Sequence, residues 1–253
     1  MTMQRAQLEA ELKNLLQPQK FRDYCPNGLQ VEGSVEISKL VTGVTASDAL
    51  IEEALDLSAD CLLVHHGYFW RNEDQTITGI KKNRLCKLLA NQINLFAYHL
   101  PLDVHEELGN NAQLGKLLGF VTEQVKGRPD DVALVAIGRP AIPLSLGELQ
   151  IIVEGALKRK PVVIGNPLAK ITRIAWCTGA AQSYFDLAIE AGVDAFITGE
   201  ISEPSAHLAH ESGVAFISAG HHATERYGVQ AVGDFLAQEF ALEHHFVDIE
   251  NPA

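Results

Sequence analysis

Ten of the 253 residues are histidines, and the most informative of them follow apolar runs. Cys61-Leu-Leu-Val64 leads into His65-His66-Gly67, and Leu95 to Tyr98 leads into His99-Leu-Pro-Leu-Asp103. Later apolar runs end in Thr198-Gly199-Glu200 and Gly220-His221-His222-Ala-Thr-Glu225. Read as strands, these runs bring imidazoles and carboxylates to carboxyl ends, where open α/β sheets gather functional groups. If His221 to Glu225 starts a helix, its i, i+4 spacing puts both groups on one face, able to chelate one ion. Taken singly, each feature has a plainer explanation: a histidine pair in a solvated loop, or an aspartate capping a helix. Three or more histidines with two carboxylates at strand ends point instead to a metal site. A nitrogen and oxygen set without thiolate suits Zn, Fe, Mn, Co or Ni and tells against copper(I) and iron–sulfur clusters. Adjacent histidines with a split set of carboxylates could hold two ions.

The elements that must position these groups read as an α/β chain. Gln4 to Leu16 spaces Leu8, Leu12, Leu15 and Leu16 as one stripe of an amphipathic helix. Strands are expected at 40–44, 61–64, 95–98, 132–137, 174–177, 195–198, 214–218 and 246–249. Helices are expected at 47–57, 84–92, 183–191 and 224–240, with another opened by the Ser145/Glu148 capping box. Strand–helix–strand alternation with continuously apolar strands argues for parallel sheets covered by helices. Lys39 to His66 also lies over Arg173 to Glu200 at a constant offset of 134, and Leu95–His99 is matched to Ala215–Ala219. The expectation is two similar α/β lobes related by internal pseudo-symmetry, 1–122 and 123–253, with 123–170 an irregular connecting region.

Composition narrows the function. Lys plus Arg number 20 against 32 Asp plus Glu, a formal charge of -12, which opposes a broad basic face for nucleic acid. A small anion remains compatible, because a bound metal outweighs distant carboxylates. No apolar run approaches the ~20 residues of a membrane span, and Met-Thr-Met-Gln-Arg-Ala lacks the core of a signal peptide. Cys25, Cys61, Cys86 and Cys177 show no Cys-x-x-Cys spacing, as expected of thiols in a reducing cytosol. A cytoplasmic, acidic, globular protein without a membrane partner is expected.

Asn27-Gly-Leu-Gln-Val31, Val64-His-His-Gly67, His99-Leu-Pro-Leu-Asp103, Ile197-Thr-Gly-Glu200 and Gly220-His-His-Ala-Thr-Glu-Arg226 resemble the signatures of the GTP cyclohydrolase 1 type 2 homologues, the NGG-interacting-factor-three-like family. The resemblance runs from end to end. It implies two similar α/β lobes with a dinuclear metal site between them and a ring-shaped homohexamer built from dimers. Carried over by motif, it implies His65, His66, Asp103, His221 and Glu225 as ligands of two divalent metal ions per chain. It favours a metal-dependent, cyclohydrolase-like hydrolase acting on a nucleotide or related heterocycle. The alternative is a metal-stabilised scaffold or regulatory partner linked to DNA repair or transcription.

Beside those ligands, His99 reads as a proton shuttle near the metals or as a packed strand-end histidine. Glu200 reads as a group that orients a metal-bound water, or as part of a turn. Tyr68, Phe69 and Trp70 form either a stacking wall for a base, or loop packing or a subunit contact. His207 and His210 are expected to face solvent or a subunit partner, and His244-His245 to lie at the surface.

Overall fold

The computed structural model describes residues 2–129 and 132–253. The chain divides into two compact units: Met1–Leu108 with Gly228–Glu250, and Gly109–Tyr227 with Asn251–Ala253. This division differs from a cut at 122/123, because the chain returns to its first unit. Val229, Val232, Leu236 and Leu242 are buried with Leu8, Leu12, Ile37 and Leu40 in one apolar cluster. The strand Glu243–Phe246 pairs in parallel with Lys39–Thr45. A linear reading has no signal for that return, since a late helix reveals an apolar stripe but not its partner.

The first unit holds a five-stranded sheet in the order Glu243–Phe246, Lys39–Thr45, Cys61–His66, Asn94–Ala97, Gly28–Val31. The first three pairings are parallel and the last is antiparallel. Successive side chains on a strand point to opposite faces, and the core divides accordingly. Leu40, Cys61, Leu63 and Phe96 pack with the helix Arg5–Leu16 and the late residues. Val41, Leu62, Val64 and Leu95 pack against Leu50, Ile51, Leu85 and Leu88. Those four come from the helices Asp48–Asp56 and Gly79–Ala90. Both faces are therefore covered, which is why the strands read as unbroken apolar runs.

The second unit holds a six-stranded sheet in the order Val162–Ile164, Ala215–Ser218, Ala195–Thr198, Ile174–Trp176, Val135–Pro140, Phe120–Lys126. Only the two central pairings are parallel; the rims are antiparallel. Ile174, Trp176, Ile197 and Ile217 pack on Leu146, Leu149 and Val153 of the helix Leu146–Leu157. That helix opens with the expected capping box between Ser145 and Glu148. On the alternate positions, Phe196 and Phe216 meet Phe185 with ring centroids 5.7 and 4.9 Å away. Phe120–Lys126 escaped the sequence reading because five of its seven residues are exposed and it shows no apolar run.

The offset of 134 reappears as hydrogen bonds within each unit. Asp60 Oδ2 accepts from the Ser38 amide, the Ser38 hydroxyl and the Lys39 amide at 2.7–2.9 Å. Asp194 Oδ2 accepts from the Thr172 amide, the Thr172 hydroxyl and the Arg173 amide at 2.7–2.9 Å. The third strands need a different register from the sequence match. Asn94 sits opposite Cys61 and Ala215 opposite Ala195, so Ala219 corresponds to Tyr98 and Gly220 to His99. The amides confirm it: Tyr98 donates to Val64 and Ala219 donates to Thr198. Among the described residues, no helix is long and apolar enough to cross a membrane.

Candidate metal centre

In the first unit, Cys61–His66 carries its buried run straight into two imidazoles, His65 fully buried and His66 partly so. The neighbouring strand ends at Ala97, and Tyr98 and His99 follow at the same edge. His65 Nδ1 lies 2.9 Å from the Tyr98 carbonyl oxygen. A carbonyl only accepts, so Nδ1 donates and Nε2 carries the lone pair. That Nε2 is 3.4 Å from Asp103 Oδ1. His66 Nδ1 lies 3.3 Å from Thr45 Oγ1, the residue paired with it across the parallel ladder. His99 Nδ1 lies 2.7 Å from Asp23 Oδ1. The His65, His66 and His99 ring centroids are 4.4, 5.2 and 5.8 Å apart, and each ring offers a nitrogen within 4.8 Å of the other two.

Asp23 is the residue that sequence reasoning missed. Its carboxylate joins His99, Asn27 and the Tyr24 and Leu100 amides. Burial acts to raise its pKa, but the hydrogen bond and charge of His99, helped by Asn27 and the Tyr24 amide, bring it down to about 2. Cys25 is close enough to Asp23 and His99 to complete a third donor group, yet burial and the Asp23 charge push its thiol up to about 12. It is therefore no thiolate at neutral pH.

In the second unit the helix His221–Phe240 starts directly after Gly220, whose φ is +101°. One turn separates His221 from Glu225, and Nε2 lies 3.1 Å from Oε2. His221 Nδ1 lies 2.8 Å from Glu200 Oε1, while Glu200 Oε2 accepts from Gln182 Nε2 at 3.2 Å. Burial works to lower the His221 pKa, but the hydrogen bonds and charges of Glu225 and Glu200 outweigh it and push the imidazole up to about 9. A cation binding there must displace a proton. Gly179, at φ +68°, makes the room: a Cβ on it would collide with Glu225 Oε1 and touch His221 Nε2.

The donor types in each unit suit a divalent ion. All four imidazoles have Nδ1 tethered to an oxygen, by the Tyr98 carbonyl, Thr45, Asp23 or Glu200. Tethering one nitrogen to an oxygen is how ligating histidines are oriented, the other nitrogen being the donor. Asp103 and Glu225 are buried carboxylates, 8% and 3% exposed, each beside an Nε2. Glu200, expected to orient a water, holds His221 with one oxygen and Gln182 with the other.

Other sequence readings resolve as packing. Tyr68 is buried with its hydroxyl donating to the Ala46 carbonyl, so it is no stacking wall. Trp70 does stand against the site, edge-on to His99 at 4.9 Å. His207 is exposed and pairs with Glu203, and His210 is exposed as expected. His244, expected at the surface, instead lies between Thr42 Oγ1 at 2.8 Å and Asp234 Oδ1 at 2.9 Å.

Fold and site together define an α/β protein whose buried His, Asp and Glu groups could hold a metal ion. The family Duf34/NIF3 (NGG1p interacting factor 3) matches residues 3–252, and the chain belongs to it. The sequence resemblance is thereby confirmed. A Pseudomonas aeruginosa protein named GTP cyclohydrolase 1 type 2 homolog is 51% identical over 248 residues, 97% of each chain. A protein of that name from Neisseria meningitidis serogroup B is 55% identical over 238 residues, 94% of each chain. The solved structure of protein ybgI matches with a TM-score of 0.95 at 49% identity, covering 99% of this chain and 100% of that one.

Proposed function

We propose that this chain is a metal-dependent hydrolase acting on a nucleotide or related heterocycle. Its His65, His66, Asp103, His221 and Glu225 side chains would hold two divalent ions per chain, drawn from Zn, Fe, Mn, Co or Ni. The tethering of every site imidazole at Nδ1 carries this reading, because it orients nitrogen donors beside buried carboxylates. Bound divalent ions supply Lewis-acid charge and make a water acidic enough to react near neutral pH. His99, held at Nδ1 by Asp23, takes the proton from the attacking water at Nε2 and returns it to the leaving atom. Glu200 orients His221. The heterocyclic substrate class is favoured by the name of the relatives and by the aromatic rings of Tyr24 and Trp70 beside His99. The two units are read as copies of one ancestral half, from their repeated Asp60 and Asp194 hydrogen bonds.

The test is a nucleotide panel incubated with metal-loaded protein. Turnover that is abolished by a chelator and by His66→Ala supports the hydrolase. Binding without turnover favours the scaffold reading. Family membership also leads us to propose a cytoplasmic homohexamer, a ring of dimers. Light scattering at micromolar concentration should give six chains, and a clean monomer would sink that assembly.

A further inference from the structure

A dense hydrogen-bond network at the histidine group belongs to a residue that ligates nothing in the reading above. The Asp23 side chain is 3% exposed. Its Oδ1 accepts from the Tyr24 amide at 2.6 Å, and its Oδ2 accepts from Asn27 Nδ2 and the Leu100 amide, both at 2.9 Å. Asn27 completes the clasp, its Oδ1 accepting from the His99 amide at 2.7 Å. With both oxygens already accepting amide hydrogens, the carboxylate offers His99 Nδ1 an acceptor and no proton. Nδ1 must then hold the hydrogen of their 2.7 Å contact, which in the neutral ring leaves the lone pair on Nε2. The clasp also fixes the main chain, because Asp23 holds the first amide of the helix Leu100–Val104 and the His99 carbonyl accepts from the Asp103 amide at 3.2 Å.

Resting on the hydrolase reading, we propose that Asp23 is the positioning residue that locks His99 in its Nδ1–H form and presents Nε2 as the proton acceptor of the site. When Nε2 takes a proton from the attacking water, the imidazolium keeps Nδ1–H on the Asp23 carboxylate. Delivery of the Nε2 proton to the leaving atom restores the neutral ring, so the protons balance. Asn27 holds the same residue by its backbone, so ring orientation and strand end are set together.

Nitrogen-15 NMR of the full-length, histidine-labelled chain, zinc-loaded and after chelation, reads the tautomer without substrate. His99 is assigned by its loss in His99→Gln. The expected result is a protonated Nδ1 and an unprotonated Nε2. Asp23→Asn should mix or invert the two forms, because an amide can also donate. It should lower turnover by up to about 10²–10⁴-fold, the span a positioned general base contributes. In the His99→Gln background it should cost nothing further. A protonated Nε2 in the unmodified chain, or an Asp23→Asn spectrum unchanged from it, overturns the assignment. The unmodified chain decides the first point even if the variant fails to fold. Loss of the hydrolase reading would show in the nucleotide panel, whereas loss of the Asp23 role would show in the nitrogen shifts.

Discussion

The two sheets share a clamp at one end of their strands and diverge at the other. Asp60 and Asp194 hold equivalent amides and hydroxyls at the start of Lys39–Thr45 and Ile174–Trp176. At the carboxyl ends, His65-His66 stands where the second unit has Gly199-Glu200, and His99 where it has Gly220. The first unit contributes mainly imidazoles. The second contributes a histidine one residue later, on the helix, with carboxylates on both sides of it. Steric room explains the glycines: a Cβ at Gly199 would meet the Gly179 carbonyl and the backbone of His221. The backbone ladder is set by the shared clamp, and the chemistry by what the strand ends carry, as in open α/β sheets generally.

The largest effect that could break this comparison is at Gly179. Gly179 and Gly192 both have positive φ, but a Cβ meets nothing within 4 Å at Gly192. Gly192→Ala should cost about 1–2 kcal/mol, the left-handed penalty alone. Gly179→Ala should add about 1–3 kcal/mol of overpacking against Glu225 and also weaken metal binding. Denaturant titration with metal analysis checks both, and equal costs would show that no cradle exists.

A smaller, matched effect is expected at the clamps. Asp60→Ala and Asp194→Ala should each cost about 1–3 kcal/mol, the range for leaving partly buried donors unsatisfied. Burial acts to raise both carboxyl pKa values, yet the amide and hydroxyl hydrogen bonds lower them from 3.8. A depressed folded-state pKa gives stability that is present above 3.8 and lost as pH falls below it. Each alanine variant should therefore lose less stability than the unmodified chain between neutral pH and strong acid. A clamp in one unit that tolerates alanine while the other does not would contradict their equivalence. The smallest effect is at His207, exposed and paired with Glu203 along its own helix turn. Its alanine variant should stay within about 0.5 kcal/mol and keep its metal.

What was legible in the sequence was whatever is local or periodic. The buried strands, the Ser145 cap and the strand-end histidines all announce themselves within a few residues. Asp23 did not, because it lies in an irregular stretch and its partners His99 and Leu100 are over seventy residues away. Gly179 was equally silent, since its role depends on Glu225 reaching it in space. The return of Val229–Leu242 to the first unit depends on which core accepts an apolar stripe, and no single stripe states its partner. The aromatic run at Tyr68 left wall and packing open, because only the fold shows which ring is buried.

The most direct test of the central claim is metal content by mass spectrometry on purified single variants. The unmodified chain should carry about two ions, as a dinuclear centre requires. His221→Ala and Glu225→Gln should each fall towards about one ion, since losing a ligand weakens its ion without emptying the other position. His99→Ala should keep its full complement if, as proposed, His99 is a base rather than a ligand. If His221→Ala keeps every ion while His99→Ala loses one, the ligand assignment is wrong and His99 binds the metal directly.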